Sequence, residues 1–490
     1  MEIANTFKNQ VIQQLSEVLP ADAILSNKED LRPYECDGLT AYQRLPLAVV
    51  LPTHTEQIQQ IVQVCRRFGV PIVARGAGTG LSGGALPHED GIILSLARLN
   101  RILEIDTQNL QARVQPGVRN LAISQAVDAY GLFYAPDPSS QVACTIGGNV
   151  AENAGGVHCL KYGLTIHNLI QIKVVTIEGE LLTIGSDTLD TSAGCDLLSI
   201  MTGSEGMLGI VVEVVVKLTV KPETIQVLMA AFDSLTNAGE AVAAIISAGI
   251  IPAGLEMMDN PAIRAAEAFA NAGYPTQAAA ILLCELDGSE LDVAEQTERV
   301  NAILKKYRAS HVHVAKTASE RAKLWAGRKS AFPAVGRISP DYYCMDGTIP
   351  RKHLAEVLQH ISELAAHYEL RVANVFHAGD GNLHPLILYD ANRPGELEKA
   401  ERFGADILAL CVKVGGSITG EHGVGYEKLD SMCVQFGTAE LEIFHAIKHA
   451  FDPNALLNPG KAVPTLHRCA ELGAMHVHHG QLSHPELPRF

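Results

Sequence analysis

A glycine-rich segment directly after a short apolar run constrains this chain most. The segment RGAGTGLSGGALP, residues 75–87, places five glycines within ten residues and follows the apolar run 70–73. Residues 78–83 match the G-x-G-x-x-G dinucleotide fingerprint letter for letter. That fingerprint must open a helix, because the pyrophosphate lies on the helix N-terminus. Pro87 and the apolar run 91–96 predict a second strand instead, which argues against a Rossmann loop.

The same segment lacks the Gly-Lys-Ser/Thr ending of a Walker loop. It does offer a run of backbone N–H groups with no Cβ atoms in the way, which suits a closely approaching pyrophosphate. A glycine-rich hairpin without a ligand remains an alternative interpretation at this point. The ligand hypothesis therefore needs support from other parts of the chain.

Length, charge and cysteine usage exclude several classes of protein. A chain of 490 residues is too long for one hydrophobic core, so two or three domains are expected. A net charge of −16 argues against nucleic-acid binding, which needs a basic surface. The ten cysteines form no CxxC pair, so we expect reduced thiols and no iron–sulfur cluster on this chain. No stretch predicts a membrane span or a signal peptide, which favours a cytoplasmic protein.

The pattern of apolar residues divides the chain. Thr55 is predicted to cap a helix that ends at Gly69. The stretch 170–218 alternates strand-like runs with turns, and Lys221-Pro222 interrupts that pattern. Residues 225–349 then alternate strands with alanine-rich helical segments, which predicts a separate α+β domain with an antiparallel sheet.

Two further glycine clusters support a single large ligand. YAPDPSSQVACTIGGNVAENAGGVHCLKYG, residues 134–163, places glycine pairs around two asparagines and a glutamate, and TGSEGMLGIV, residues 202–211, adds a tight turn before a strand. Small residues beside amides allow backbone groups to reach the ring nitrogens and carbonyls of a flat heterocycle. Three such clusters in order favour one extended cofactor over unrelated turns.

A group of histidines and a glutamate in the C-terminal third indicates a metal site. His377 and His384 flank an Ala-Gly-Asp-Gly-Asn turn in NVFHAGDGNLHPLI, and Glu421 and His422 lie between glycines in GGSITGEHGVGYEK. Two imidazoles and a carboxylate suit zinc, iron or manganese and leave positions open for substrate. Structural histidines beside a turn are the alternative. Because neighbouring side chains of an extended segment point in opposite directions, His422 is expected to face substrate as a base rather than share the ion.

These segments, taken together, resemble the FAD-linked oxidases of the vanillyl-alcohol-oxidase type, in the branch that oxidises D-2-hydroxy acids. RGAGTGLSGG is similar to their pyrophosphate loop, and APDPSSQVACTIGGNVAENAGG and GSEGMLGI are similar to their other flavin contacts. HAGDGNLHP and GEHGVG resemble their metal and catalytic segments, and DPNALLNPGK resembles their C-terminal return to the flavin domain. The resemblance runs along essentially the whole chain.

The resemblance implies a fold and a cofactor. The expected fold is α+β: a two-lobed FAD-binding domain of the PCMH type over residues 1–221, an α+β cap domain with an antiparallel sheet and the metal site over 222–425, and a C-terminal segment, 426–490, returning to the FAD domain. Some relatives bind the flavin covalently through a histidine of the first loop. Residues 75–87 contain no histidine, so noncovalent FAD is expected. The implied FAD contacts are Arg75, Gly76, Ala77, Gly78, Thr79, Gly80, Leu81, Ser82, Pro136, Asp137, Ser140, Thr145, Gly147, Gly148, Asn149, Asn153, Gly155, Gly156, Glu205, Gly209, Ile210 and Asn458.

The resemblance also implies a reaction. Glycolate would be oxidised to glyoxylate by hydride transfer to FAD N5, while a divalent ion (Zn, Mn or Fe) on His377, His384 and Glu421 orients the substrate. His422 would accept the hydroxyl proton, and Arg328 is the candidate for pairing the substrate carboxylate. Leu386 stands where D-2-hydroxyglutarate dehydrogenases carry an asparagine, which favours a small monocarboxylate.

Partners follow from the same resemblance. Electrons are expected to pass to an iron–sulfur subunit in a complex that also contains a second FAD-binding-like subunit, and such partners would hold the chain at the inner face of the cell membrane. Two alternatives remain open: a D-lactate dehydrogenase of the same family, and a flavin electron-relay subunit without substrate chemistry of its own. A zinc hydrolase is disfavoured by the three glycine clusters.

Overall fold

The N-terminal lobe is a small sheet covered by helices. The computed structural model describes residues 2–186 and 194–465. The first sheet has four strands in the order β1-β2-β4-β3. The elements of this lobe are α1 (Glu2–Ser16), β1 (Ile24–Leu25), α2 (Lys28–Leu31), β2 (Ala48–Val50), α3 (Thr55–Phe68), β3 (Ile72–Arg75) and β4 (Ile92–Ser95).

The glycine-rich segment connects β3 to β4, which are parallel neighbours in this sheet. Ile72 pairs with Ile92 and Arg75 with Ser95. The segment must therefore lead the chain back along the full length of the strand, a return that a helix usually makes. The predicted succession of strand, loop and strand is confirmed, and the helix that a Rossmann loop requires does not follow the glycines.

Helix α3 packs on this sheet through the apolar face predicted from its periodicity, with Ile58, Ile61 and Cys65 buried. The predicted cap was wrong by one residue. Thr55 is the first helical residue, and His54 occupies the capping position with extended backbone and no capping side-chain bond. The helix ends as expected at Gly69, whose φ of 67° is the left-handed conformation that glycine adopts at low cost.

The second lobe is an antiparallel sheet of five strands in the order β5-β6-β10-β8-β9, and a two-stranded ladder, β7 with β11, lies apart from it. The loops of this lobe carry the second and third glycine clusters. Its elements are β5 (Ile102–Asp106), β6 (Gln111–Val114), α4 (Asn120–Val127), β7 (Leu132–Phe133), α5 (Ile146–Glu152), α6 (Cys159–Tyr162), β8 (Leu169–Val175), β9 (Leu181–Gly185), α7 (Leu197–Met201), β10 (Ile210–Lys217) and β11 (Thr219–Val220).

The third sheet is the largest. Its seven strands are antiparallel and follow the order β15-β12-β14-β13-β17-β18-β16. The elements are β12 (Thr224–Phe232), α8 (Leu235–Ser247), β13 (Gly254–Asp259), α9 (Asn260–Ala270), β14 (Ala280–Gly288), α10 (Glu290–Lys306), β15 (His311–Val314), α11 (Ala318–Lys329), α12 (Ala331–Val335), β16 (Asp341–Cys344), α13 (Leu354–Tyr368), β17 (Arg371–His377), β18 (Asn382–Tyr389) and α14 (Glu396–Lys413).

Helices cover both faces of this sheet, so its inner strands are mainly apolar and buried, whereas the edge strand β15 (HVHV) alternates. In β12, Leu228 and Phe232 belong to the core shared with α8, α10, α13 and α14, whereas Val227 and Met229 belong to the core shared with α9, α11 and α12. Successive side chains of a strand point to opposite faces. A polar side chain in such a strand is therefore buried whichever face it takes, and needs a partner.

The C-terminal part leaves the third sheet and returns to the first lobe. Two helices, α15 (Leu429–Gln435) and α16 (Thr438–Phe451), lead to a short extended stretch beside β3. There the backbone N–H of Ile72 donates to Leu456 at 2.7 Å, and the N–H of Asn458 donates to Ile72 at 2.8 Å. Residues 466–490 of the predicted C-terminal segment lie outside the described residues. Within the described part, no helix is both long and apolar enough to cross a bilayer.

Candidate active site

The hairpin of β17 and β18 brings His377 and His384 together. His377 ends β17, and a tight turn through Gly381, whose φ is 76°, leads into β18. The register pairs Val375 with His384, so the two histidines are diagonal neighbours on the same face of the sheet. Their ring centroids are 5.1 Å apart with the planes at 89°.

Glu421 reaches the same point from a different element. It lies in the Glu421 loop, residues 414–428, between α14 and α15. Its Oε1 atom is 3.2 Å from Nε2 of His377 and 3.0 Å from Nε2 of His384. One ligand atom from each of the three residues lies within 4.8 Å of the others, so they form a group able to hold one metal ion.

The opposite nitrogens of both histidines are held by acceptors. Nδ1 of His377 is 2.8 Å from Oε1 of Glu256, the residue opposite it on β13, and Nδ1 of His384 donates to the carbonyl of Met345 at 3.2 Å. Because a carbonyl cannot donate, His384 carries its proton on Nδ1. In a neutral ring the Nε2 lone pair would then face a carboxylate oxygen. Two acceptors at 3.0 Å require a proton or a cation between them, and the donor set therefore fits a metal ion.

Charge in this cluster is strongly coupled. Burial alone would lower the pKa of His377, but the carboxylates of Glu256 and Glu421 raise it well above its usual value. Burial opposes ionisation of Glu421, yet His377 and His384 hold the pKa of that carboxyl well below its usual range. The carboxylate of Glu421 is thus ready to accept a cation.

Asp346 fixes the part of the Glu421 loop that carries the site. Its carboxylate is fully buried and accepts backbone N–H groups of Gly420, Glu421 and His422 at 2.9 to 3.3 Å. It also forms an ion pair with Lys428 at 3.0 Å, and both side chains are inaccessible to solvent. One carboxylate therefore orients two predicted site residues through their backbone.

His422 stacks on His384 with ring centroids 4.9 Å apart and planes at 10°. Its Nδ1 atom is buried and has no hydrogen-bond partner among the described residues. Burial lowers the pKa of His422 to about 4, with His384 and Lys428 adding to the shift and Asp346 opposing it. The imidazole is thus neutral and has one nitrogen without a partner, so it is able to accept a proton.

A cavity of about 460 Å³ joins the glycine clusters to this group. Its wall includes both the first glycine loop and His384, Glu421 and His422. The predicted cofactor contacts that line it are Arg75, Gly76, Ala77, Gly78, Thr79, Gly80, Leu81, Ser140, Thr145, Gly147, Gly148, Asn149, Gly155, Glu205 and Gly209.

The other predicted contacts do not line this cavity, and two of them, Ser82 and Asn458, join the loops of its walls. Ser82 donates its hydroxyl to the carbonyl of His422 at 2.9 Å, and Asn458 donates to the carbonyls of Gly84 and Glu205. Both side chains tie loops of different lobes together. The remaining predicted contacts that do not line the cavity are Pro136, Asp137, Asn153, Gly156 and Ile210.

Arg328 lies outside the cavity, so its predicted contact with a substrate carboxylate does not fit its placement. It is almost fully buried, with Nε 2.9 Å and one terminal nitrogen 2.6 Å from the same oxygen of Glu256. The next residue, Lys329, is exposed and lines the cavity together with Phe332 and Pro333. Successive residues of a helix are about 100° apart around its axis. Arg328 and Lys329 therefore lie on different faces of α11, and the neighbour of the predicted residue is the one that reaches the cavity.

Several wall residues escaped the sequence analysis. Asp37 accepts backbone N–H groups of Leu39 and Ala85 across the first glycine loop, and burial raises its pKa to about 6. Glu152, the glutamate between the two glycine pairs of the second cluster, also lines the cavity, although it was not among the predicted cofactor contacts. A single acidic residue in a glycine-rich or apolar segment was the sequence signal that could have identified these residues. The same signal marks Glu256 in the apolar strand GLEMMD.

The cradle fits an extended cofactor. A Cβ atom on Gly76 would lie 2.2 Å from Oγ1 of Thr145, so the absence of a side chain lets the first and second glycine clusters touch. That Oγ1 atom is buried and has no partner among the described residues, and Thr145 is one of the residues that line the cavity. A polar ligand atom would satisfy it.

Comparison with known proteins agrees with this geometry. Residues 46–185 match the FAD binding domain, and residues 221–462 match the C-terminal domain of FAD linked oxidases. The glycolate oxidase subunit GlcD of Escherichia coli K12 is 64% identical over 99% of this chain and 97% of that protein. The GlcD subunit of Bacillus subtilis is 43% identical over 87% of this chain and 91% of that protein. A D-lactate dehydrogenase of Anaerostipes hadrus is 32% identical over 93% of this chain and 98% of that protein.

Solved structures share the fold at lower identity. A p-cresol methylhydroxylase with bound substrate aligns with a TM-score of 0.80 at 20% identity, covering 94% of this chain and 98% of that chain. A 4-ethylphenol oxidase of Gulosibacter chungangensis aligns with a TM-score of 0.79 at 17% identity, with the same coverage. The α+β fold of the PCMH type and the family predicted from the sequence are confirmed. The chain belongs to the FAD-linked oxidases.

Proposed function

We propose that this chain is the catalytic subunit of a glycolate oxidase, which oxidises glycolate to glyoxylate. The observation that carries the proposal is the single cavity that joins the glycine loop of residues 76–81 to His384, Glu421 and His422. A flavin bound at this loop would extend toward His384, Glu421 and His422, which we propose bind and deprotonate a 2-hydroxy acid. The relatives named GlcD, at 64% and 43% identity, support glycolate as the substrate.

FAD would be held noncovalently by the predicted contacts that line the cavity. Bound FAD supplies an acceptor for the hydride from the substrate carbon. The chain's own contribution is a wall of glycines that admits the cofactor and a buried hydroxyl, Oγ1 of Thr145, that is left without a partner among the described residues. The absence of histidine from residues 75–87 is the basis for a noncovalent link.

His377, His384 and Glu421 would hold a divalent cation, zinc, manganese or iron. Such an ion supplies a fixed positive charge that orients the carboxylate and hydroxyl oxygens of the substrate. The residues keep their Nε2 and Oε1 atoms converged because Glu256, the Met345 carbonyl and Asp346 fix the rings and the loop behind them. This support is typical of metal ligands, whose outer partners set ring orientation.

His422 would accept the hydroxyl proton of the substrate. Its ring lines the cavity, its Nδ1 atom lacks a partner among the described residues, and its backbone is anchored by Asp346. We assign the contact with the substrate carboxylate to Lys329 in place of Arg328, because Lys329 lines the cavity. Arg328 is then a positioning residue that acts on His377 through Glu256.

We also retain the predicted organisation as part of the proposal. The FAD-binding domain spans residues 1–221, the cap domain 222–425 and the returning segment 426–490. Electrons would leave through an iron–sulfur subunit in a complex with a second FAD-binding-like subunit, and these partners would hold the chain at the inner face of the membrane. The word "subunit" in the names of the GlcD relatives supports a complex.

Oxidation of D-lactate is the second candidate, since a D-lactate dehydrogenase is 32% identical over 93% of this chain. An anaerobic flavin spectrum recorded before and after substrate addition tests both. Rapid bleaching by glycolate, lost after chelator treatment while the flavin stays bound, supports the proposal. Faster bleaching by D-lactate than by glycolate would select the second candidate. No bleaching by either acid would leave an electron-relay role.

A further inference from the structure

A second group of metal-binding side chains overlaps the first. Cys344, at the end of β16, lies next to β18, where it pairs with Leu386, and so occupies the same face of the sheet as His384. One ligand atom each from Cys344, His384 and His422 lies within 4.8 Å of the other two. Cys344 and His384 are buried, with 4% and 2% of their surface exposed.

The chemistry of this group differs from that of His377, His384 and Glu421. A thiolate with two imidazoles is a soft donor set, which favours cadmium, zinc or copper over manganese and magnesium. Among the described residues, the thiol of Cys344 makes one hydrogen bond, in which the weakly donating S–H group lies 3.4 Å from the carbonyl of Met345. The Nδ1 atom of His422 is buried without a partner among the described residues. The thiol of Cys344 and the Nδ1 atom of His422 are thus available to a cation, whereas His384 would have to give up one of its present partners.

We propose that Cys344, His384 and His422 form a thiolate site for a soft divalent cation, and that filling it inhibits the enzyme. Binding exchanges the S–H bond of Cys344 for a metal–sulfur bond and releases one proton to solvent. The cation would be coordinated by the imidazole of His422, which could then no longer accept a proton. Because His384 belongs to both groups, this cation would also compete with an ion bound by His377, His384 and Glu421. Inhibition rests on the proposed role of His422, whereas binding of the cation does not.

Cadmium chloride added to the FAD-loaded protein tests the site, because a cadmium–thiolate bond has its own ultraviolet charge-transfer band. Cys344→Ser is the test variant. Cys284→Ser is the matched control, since Cys284 is equally buried in β14 but belongs to the core on the opposite face of the sheet. Cys195→Ser controls for an exposed thiol. The flavin spectrum checks folding in every variant, and Cys344→Ala replaces Cys344→Ser if serine disturbs the apolar layer.

The expected result is a thiolate band that saturates near one equivalent in the wild type and in both controls, and is lost in the Cys344 variant. Inhibition by cadmium should need at least about 10-fold more metal in that variant, the lower limit for losing even an outer partner of a metal site. An unchanged band in Cys344→Ser, or no band in the wild type, overturns the proposal. A band that titrates as expected without inhibition would support the site and contradict the role of His422.

Discussion

Arg328 and His377 are bound to the same buried carboxylate. Glu256 accepts from His377 through one oxygen at 2.8 Å and from Arg328 through the other at 2.6 Å, and all three side chains are almost inaccessible to solvent. A buried carboxylate between two cationic or donor groups keeps one ring of the proposed metal site in a fixed orientation.

Glu256→Gln should destabilise the protein by about 3–5 kcal/mol, because it leaves Arg328 buried without a counter-ion. The double variant Glu256→Gln, Arg328→Met removes both charges and should recover part of that loss. Thermal unfolding of the two variants measures the difference. A double variant no more stable than the single one would show that Arg328 does not depend on Glu256.

Lys329→Met should raise the KM for glycolate by about 10–100-fold, the cost of losing one charge-assisted hydrogen bond. Flavin content should not change. Lys323→Met, on the same helix and exposed but outside the cavity wall, is the matched control. Steady-state kinetics at several substrate concentrations separate KM from kcat. An unchanged KM in Lys329→Met would mean that a residue other than Lys329 binds the substrate carboxylate.

Gly76→Ala should abolish flavin binding, since the added Cβ would lie 2.2 Å from Oγ1 of Thr145 and force the first two glycine clusters apart. Gly437→Ala is the control, because a Cβ there meets only the flexible end of Glu440 at 3.6 Å. The ratio of flavin to protein absorbance after purification measures the effect. Full flavin occupancy in Gly76→Ala would mean that the two clusters do not need to touch.

The path of the glycine loop and the proximity of His377 to His384 were largely predictable from the sequence because their signals are local. Pro87 and the strand after it exclude a Rossmann loop. His377 and His384 are seven positions apart around a Gly-Asp-Gly turn, and this spacing places them on the two strands of one hairpin. The supporting residues were not predictable in the same way. Asp346 and Glu256 act through contacts with residues 75 and 121 positions away, and no local pattern encodes such contacts.

The choice between Arg328 and Lys329 could not be predicted from the sequence, for a different reason. The motif GRKSAF places Arg328 and Lys329 next to each other, and only the packing of α11 decides which one enters the cavity. Arginine is the more usual partner of a carboxylate, but here its partner is Glu256. Ser82 and Asn458 illustrate the same limit, since residues in a ligand-binding motif also serve to join the loops.

Asp259 should make stability depend on pH. Burial raises its pKa to about 6, although bonds from Ala262 and Asn374 oppose the shift. The folded protein therefore retains a proton that the unfolded chain releases, so stability falls as the pH rises from about 4 to about 6 and stays lower above that range. The loss at neutral pH should be about 2–3 kcal/mol.

Asp259→Asn removes the charge while keeping an acceptor for the backbone of Ala262. The variant should melt at a higher temperature than the wild type at about pH 7.5, and the difference should shrink near pH 4.5. Thermal scans at both pH values make the comparison. A variant that melts below the wild type at neutral pH would mean that the charged form of Asp259 is favourable in the fold.

The proposed reaction depends on His422 to remove the substrate proton. The test is single-turnover bleaching of the flavin by glycolate in His422→Ala, with His353→Ala as a control at a half-buried histidine that lies outside the cavity wall and bonds to Glu356 at 2.9 Å. We expect a normal oxidised flavin spectrum and a bleaching rate lower by about 10²–10⁴-fold, the usual contribution of a general base. Bleaching of His422→Ala at the wild-type rate would show that His422 is not the base.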